Sequence, residues 1–455
     1  MAGQSFFKGA FTLLSAGVVV KIMGFAYQMV IVRLAGTEAI GIFNMVSPFY
    51  SMAMILTCTG IPAAIVRFIP EHRELDPTGD SRSLLRMAAA TLVITSSVTT
   101  VVMLLASPGL LRKCGLDERA VAPFLVLLPT LLMIAVSSSI RSFFQGNKDM
   151  KPTAGAQLIE QSTRLATGLG FTCLMAPYGI QWAIIGMALG VFCSELAGFL
   201  FLWRRFSRHT GEKSLLSRPS RAITKELYGY GLPLTATKLL LSFSGAAEAV
   251  LLPYQLKALG LTASEAASFY GQLTGIVFPL LNIPTIITIS LSTALIPTIA
   301  QAQKNQEYGF MTRRIIQALG LTLAIGIPTS LGLYFFSDFI VHLLFKVEGA
   351  AQLLKYLAPA GVFLWLAQLS SGILQGMGLV IPASFTTLFT CLIRLGGIWL
   401  LTRDPATYGR GICFSFALSF ILNTCFNLIL IRRNCGYGWI RAARDSARAA
   451  SGFKA

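Results

Sequence analysis

Long apolar stretches recur along almost the entire chain, and no other feature narrows its fold as much. A bilayer core about 30 Å thick takes roughly 20 apolar residues per crossing helix. Stretches of that kind run approximately 7 to 33, 39 to 65, 85 to 107, 120 to 140, 154 to 176, 180 to 203, 227 to 252, 267 to 299, 314 to 336, 352 to 374, 379 to 401 and 408 to 431. The longest polar connections, 66 to 84 and 204 to 226, are too short to bury a core of their own, so function is expected within the membrane or at its faces. The first stretch exceeds a signal-peptide core and lacks a small-residue cleavage site, and it reads as a retained helix. The pattern predicts an all-α polytopic membrane protein of about twelve spans.

Charge then sets orientation. The chain holds 37 Lys and Arg against 19 Asp and Glu, a formal net charge of +18, yet only 12% of its residues are charged and 54% are hydrophobic. A soluble nucleic-acid binder would carry such a charge on a polar surface that is missing here, so no nucleic-acid partner is expected. With the N-terminus placed inside, about two thirds of the Lys and Arg fall in cytoplasmic segments, as the positive-inside rule requires. Both termini are therefore expected in the cytoplasm. The tail from 436 to 455, with Trp439, Ile440, Arg441, Arg444, Arg448 and Phe453, suits either a short helix on anionic lipid or a disordered basic tail. The eight cysteines include no CxxC pair, and His72, His209 and His342 are scattered, so neither a metal site nor a cofactor is suggested.

A fixed offset of 230 residues exposes an internal repeat. It places Gln145 and Gly146 on Gln375 and Gly376, Pro152 on Pro382, Leu158 on Leu388, and Arg164 with Leu165 on Arg394 with Leu395. The shift is six spans, an even number, so the halves share one orientation and an axis along the membrane normal is expected. The predicted organisation is an N-terminal six-helix lobe over 1–203, a basic cytoplasmic linker over 204–226, a C-terminal six-helix lobe over 227–432 and a basic cytoplasmic tail over 433–455.

The segments KGAFTLLSAGVVVKIMGFAYQMVIVRLAGTEAIGIFNMVSPFY (8–50), TGIPAAIVRFIPEHRE (59–74) and RSFFQGNKDMKPTAGAQLIEQSTRL (141–165) resemble the stage V sporulation protein B family of polysaccharide-biosynthesis membrane proteins. LSTALIPTIAQAQ (291–303) and LQGMGLVIPAS (374–384) resemble the matching motifs of that family's second half. The resemblance implies the multidrug/oligosaccharidyl-lipid/polysaccharide (MOP) superfamily, a flippase fold of two six-helix lobes around a central cavity, and a bacterial inner membrane. Members of this branch commonly carry fourteen helices against the twelve counted here, and whether a lipid-tail groove built from a final helix pair carries over stays open.

Ionised side chains at bilayer depth are costly unless they meet a partner or a wet cavity, which marks seven positions. Lys21, Arg164, Lys238 and Arg394 are the cations, and Glu160, Glu195 and Glu248 the acids. Lys21 lies about 20 Å along the first helix at 1.5 Å per residue, too deep for easy snorkelling. Lys238 lies near the middle of the helix that opens the second half. Together they are expected to line one positive cavity suited to the pyrophosphate of a lipid-linked sugar, with Arg394 and Arg164 as further headgroup cations. VKIMGFA (20–26) also resembles the first-helix motif of lipid-linked peptidoglycan-precursor flippases, which implies a cavity-facing cation at Lys21. Against this stands a structural lysine paired with an acid such as Glu248. Glu160 and Arg164, spaced i,i+4, are expected to neutralise each other on one helix face. Arg394 has Thr390 where Arg164 has Glu160, so no acid is provided locally.

Glu160, Glu195 and Glu248 are the candidates for charge pairing or for coupling to an H+ or Na+ gradient, and the membrane potential is the alternative drive. Pro279 and Pro284 in the long eighth stretch are the expected hinge. The expected function is a lipid-linked oligosaccharide or peptidoglycan-precursor flippase, with membrane lipids and cell-envelope glycosyltransferases or polymerases as partners. The alternative is a cation-coupled multidrug or small-molecule exporter of the same superfamily. An enzyme would carry paired catalytic carboxylates or a sizeable extramembrane loop, and neither is present.

Overall fold

The computed structural model describes residues 2–58, 60–66, 80–147, 149–210, 221–405 and 407–435. Most of the 66–84 connection, residues 211–220 of the linker and the tail after Cys435, with the readings assigned to them, lie outside the described residues.

Among the described residues the structure is helical without a strand. The helices are α1 (Ala2–Cys58), α2 (Asp80–Lys113), α3 (Val121–Leu127), α4 (Thr130–Gly146), α5 (Lys151–Met175), α6 (Ile180–Thr210), α7 (Arg221–Ala258) and α8 (Ala263–Gln272). After a π-helical turn, Leu273–Val277, follow α9 (Phe278–Asn282), α10 (Thr285–Lys304), α11 (Tyr308–Phe335), α12 (Ser337–Phe345), α13 (Ala350–Gly376), α14 (Val380–Leu401) and α15 (Tyr408–Cys435). Nine helices among these residues are long and apolar enough to cross a membrane, or ten with the pair Glu118–Leu127 and Thr130–Gly146, bent by 40°. The expected twelve are recovered in two further ways. α1 contains two helical spans that meet at a kink at Gly36, whose φ of 81° only glycine adopts readily. And α5 is diluted by Glu160, Gln161 and Arg164 yet is a 25-residue helix.

The chain forms two compact units, Met1–Tyr254 with Thr262–Gly271, and Gln255–Leu261 with Gln272–Ala455. This division differs from the sequence-based one, because most of α7 and nearly all of α8 join the first unit. Backbone contact is the reason. A Cβ on Gly60 would overlap the Gly231 carbonyl of α7, and one on Gly41 would overlap the Ala267 carbonyl of α8. Thr37 and Ser268 share a hydroxyl hydrogen bond of 2.6 Å at the same crossing. A capping box starts α8: Thr262 N–H and Oγ1 each donate at 2.8 Å to Glu265, whose own N–H donates to Thr262 Oγ1 at 3.2 Å. These bonds favour the ionised carboxylate and hold it below the usual range.

Lipid cannot drive helices together hydrophobically, so close backbone approach and interhelical polar bonds must do so. In unit 1, α5 and α6 meet at Gly168 and Gly190, where neither position has room for a side chain. In unit 2 the central helix is α13, whose Trp365 is 1% exposed. Fully buried Asn427 of α15 donates to Ser370 (3.2 Å) and Ser371 (3.1 Å) of α13 and accepts from Thr386 of α14 at 2.8 Å. The repeat is visible in the helix ends: Gly146 closes α4 and Gly376 closes α13, and Pro152 and Pro382 lie in the first turns of the next helices.

Gly41→Ala is expected to lower the melting temperature of the detergent-purified protein by several degrees, since its Cβ meets a backbone carbonyl that cannot step aside. Gly17→Ala, which meets nothing within 4 Å, should leave it unchanged or slightly raised. Equal melting temperatures for the two variants would contradict the α1–α8 contact.

Candidate functional site

Four charges of unit 1 gather on three successive helices. Arg141 Nη2 of α4 donates to Glu160 Oε1 of α5. One turn on, Arg164 Nη2 donates to Glu195 Oε1 of α6 at 3.1 Å, and its Nε donates to Ser194 Oγ at 3.3 Å. Glu160 and Arg164 thus do not form the self-contained i,i+4 pair that their spacing suggested; each takes a partner from a neighbouring helix. Geometry explains the preference. Gly198 of α6 has no side chain, and the Glu160 carboxylate occupies the space that a Cβ there would fill. The cluster alternates sign, with two guanidiniums and two carboxylates, so its four formal charges cancel. Arg141 Nε stays buried and without a partner among the described residues.

Tyrosines of α1 border this cluster. The Tyr27 ring covers Gly168 of α5, and Tyr50 Oη shares a 2.6 Å hydrogen bond with Thr130 Oγ1 of α4. Gly24 lies against Gln161 Nε2, 3.5 Å from where its Cβ would be. Lys21, one turn before Gly24, is exposed, and so is Lys238 on α7. Glu248, ten residues after Lys238, is buried at 8% exposure.

Arg394 belongs to unit 2. Its guanidinium carbon lies 4.9 Å from the centre of the Phe416 ring on α15, and Nη2 lies 3.6 Å from Cys391 Sγ. The repeat equivalents Arg164 and Arg394 therefore occupy matching registers with different companions, a carboxylate in one half and an aromatic ring in the other.

The proline pair sits where the eighth span breaks. Pro279 is the second residue of α9, and Pro284 is the N-cap of α10. Pro284 has no N–H to give, and the turn continues with looser bonds, Ile283 N–H to Leu280 O at 3.3 Å. Trp365 Nε1 reaches across from α13 and donates to Leu281 O at 2.8 Å. A small cavity beside the break is lined by Pro284, Thr288, Thr322 and Trp365, and Thr322 Oγ1 is buried there without a partner among the described residues. Arg141, Gly198, Phe416 and Trp365 were not singled out from sequence. Arg141 is the basic residue of RSFFQG, but no local spacing ties it to α5.

The architecture is that of an all-α multi-pass membrane transporter. A multidrug resistance MATE family transporter of the MOP superfamily, solved in its inward-facing conformation, matches with a TM-score of 0.72 over 96% of this chain and 100% of that one, at 15% identity. A MOP superfamily transporter from Pyrococcus furiosus, described as having a binding pocket of reverse polarity, matches with a TM-score of 0.63 over 96% of this chain and 95% of that one, at 16% identity.

The family follows from sequence. The polysaccharide biosynthesis protein family profile matches residues 6–303, and the MatE profile matches residues 273–400. The chain belongs to the polysaccharide biosynthesis protein family. Stage V sporulation protein B of Bacillus subtilis is 28% identical over 438 residues, 95% of this chain and 85% of the relative. Lipid II flippase MurJ of the same organism is 22% identical over 468 residues, 95% of this chain and 83% of the relative. The expected fold and membership are thus shown, and the relatives and neighbours whose names state an activity are a flippase and transporters.

A double-mutant cycle on Arg141→Ala and Glu160→Ala is expected to give a coupling of about 0.5–3 kcal/mol in stability, since either single change leaves its partner's charge in the span. Strictly additive losses would show that the pair stabilises nothing.

Proposed function

We propose that this chain is a flippase that moves a lipid-linked oligosaccharide or peptidoglycan precursor, of the undecaprenyl-pyrophosphate type, across the bacterial cytoplasmic membrane by alternating access, with both termini in the cytoplasm. The observation that carries it is the exposure of two deep lysines, Lys21 on α1 and Lys238 on α7, while Glu160 and Glu195 are engaged by arginines. Exposed ammonium groups suit a pyrophosphate and oppose a cationic drug. A relative named lipid II flippase supports the same substrate class. Arg164 takes a structural part through Glu195, and in unit 2 Arg394 has a headgroup-binding role of its own, its N–H groups suited to phosphate oxygens while its guanidinium lies over Phe416. Cell-envelope glycosyltransferases or polymerases would supply and use the cargo.

Transport also needs a drive. Glu248, buried in α7, is the candidate for H+ or Na+ coupling, because carboxylates within membrane helices commonly mark ion or proton pathways. The membrane potential is the competing source, worth about 2.3 kcal/mol per charge per 100 mV.

The decisive comparison uses purified protein in liposomes with fluorescent undecaprenyl-linked saccharides in one arm and cationic dyes in the other. Flipping of the former alone is expected; transport of the dyes alone would replace this function with drug export. Lys21→Ala should slow flipping about tenfold or more at unchanged protein level, as loss of one charge-assisted contact of roughly 1.5–3 kcal/mol implies, and Lys21→Arg should retain most of it.

With an imposed proton or sodium gradient, Glu248→Gln should abolish the gradient's acceleration of flipping. A variant that responds like wild type would remove Glu248 from coupling and leave the potential as the drive.

A further inference from the structure

We propose that Phe416 couples anion binding at Arg394 to the bend of the eighth span, so that arrival of the lipid headgroup releases the hinge. The inference rests on the headgroup role of Arg394 given above and adds the part of unit 2 that would respond.

The eighth span is broken twice. The π-helical turn Leu273–Val277 leads into α9, and the Ile283–Pro284 break leads out of it. Single π-helical turns are rare and cluster where helices must adapt. Between the breaks lies a five-residue segment clamped at both ends. At its far end the Trp365 indole holds the Leu281 carbonyl. At its near end Phe278, the first residue of α9, meets the edge of Phe416 with ring centres 5.0 Å apart and planes at 65°. Phe416 is 1% exposed and carries the Arg394 guanidinium 4.9 Å from its ring centre. One buried ring therefore touches both the deep cation and the hinge segment.

The contact responds to an anion for a simple reason. A guanidinium over a ring gains from the negative face of the π system, and that attraction is modest beside charge-assisted hydrogen bonds to phosphate. When a pyrophosphate engages the N–H edge, the guanidinium shifts toward it and its hold on Phe416 weakens. Phe416 is then less constrained against Phe278, and the segment keeps only its Trp365 clamp. A ligand shifts a conformational equilibrium only through contacts that differ between the two states. The Arg394–Phe416 stack, present without anion and weakened with it, is such a contact. The repeat equivalent in unit 1, Arg164, holds Glu195 instead, so the response is assigned to one half only. Phe416 is a positioning residue in this scheme and touches no substrate.

The test uses full-length protein in lipid nanodiscs with undecaprenyl pyrophosphate as the probe, reading amide hydrogen exchange over residues 273–286, probe affinity and flipping rate. In wild type the probe should raise exchange in this segment about threefold or more. In Phe416→Leu exchange should be raised without probe and respond no further, and flipping should fall about tenfold while probe affinity stays within about twofold. Phe416→Tyr, which keeps the ring, should behave as wild type, and Phe278→Leu should reproduce the leucine phenotype from the other side of the contact. Probe that binds without altering exchange over 273–286 would overturn the coupling and leave the headgroup reading standing, as would a Phe416→Leu protein that responds like wild type. If Arg394→Gln binds the probe as tightly as wild type, the headgroup role of Arg394 fails and the coupling fails with it.

Discussion

An ionised side chain at bilayer depth costs several kcal/mol unless something nearby compensates it, and the first unit is organised around that constraint. Arg141, Glu160, Arg164 and Glu195 come from three successive helices and cancel one another across them rather than along any one. Each pair therefore acts as an interhelical tie as well as a neutraliser. The ties demand close helices, and closeness is supplied by glycine: Gly198 makes room for the Glu160 carboxylate, and Gly168 and Gly190 let the two backbones meet. Remove the charges and the glycines lose part of their purpose. Remove the glycines and the carboxylate no longer fits beside its partner.

What could be read in the sequence was whatever repeats locally. Span length, the glycine and proline helix ends, and the 230-residue offset are properties of short segments, and all recur in the helix boundaries. Interhelical partners are not local. The i,i+4 spacing of Glu160 and Arg164 correctly placed both on one face, yet what lies opposite that face is decided by packing, and there the stronger partners are Arg141 and Glu195. The same reasoning covers the boundary of the compact units. A linker rich in basic residues marks a topological midpoint, but the attachment of α7 and α8 to unit 1 depends on Gly60 against Gly231 and Gly41 against Ala267, contacts between residues far apart in the chain. Lys21, Lys238 and Glu248 were legible as costly residues, and their surroundings were not.

The eighth span shows how proline signals need their neighbours to acquire meaning. Pro279 and Pro284 alone indicate a weak helix, and most such helices are kinked without moving. The structure adds a π-helical turn before them, a borrowed indole on the Leu281 carbonyl and a cavity lined by Thr288, Thr322 and Pro284. The indole substitutes for a bond that a regular helix would make within itself. A segment held by side chains from other helices changes shape when those side chains move, whereas a segment held by its own backbone does not.

The two halves are therefore related in plan and different in use. At the offset of 230, Glu195 falls on Cys425, so the second half has no carboxylate where the first half neutralises its arginine. Arg394 rests on Phe416 instead, and polar contact between the matching helices passes to the neutral Asn427 and Thr386. An ion pair surrounded by close-packed glycines resists rearrangement, because separating it strands two charges in the bilayer. The contact of a guanidinium with a ring is a weaker interaction than an ion pair, and an incoming anion competes with it. The interhelical ion pairs of the repeat lie in the first half, and the broken helix lies in the second, where the proposed response to an anion is placed.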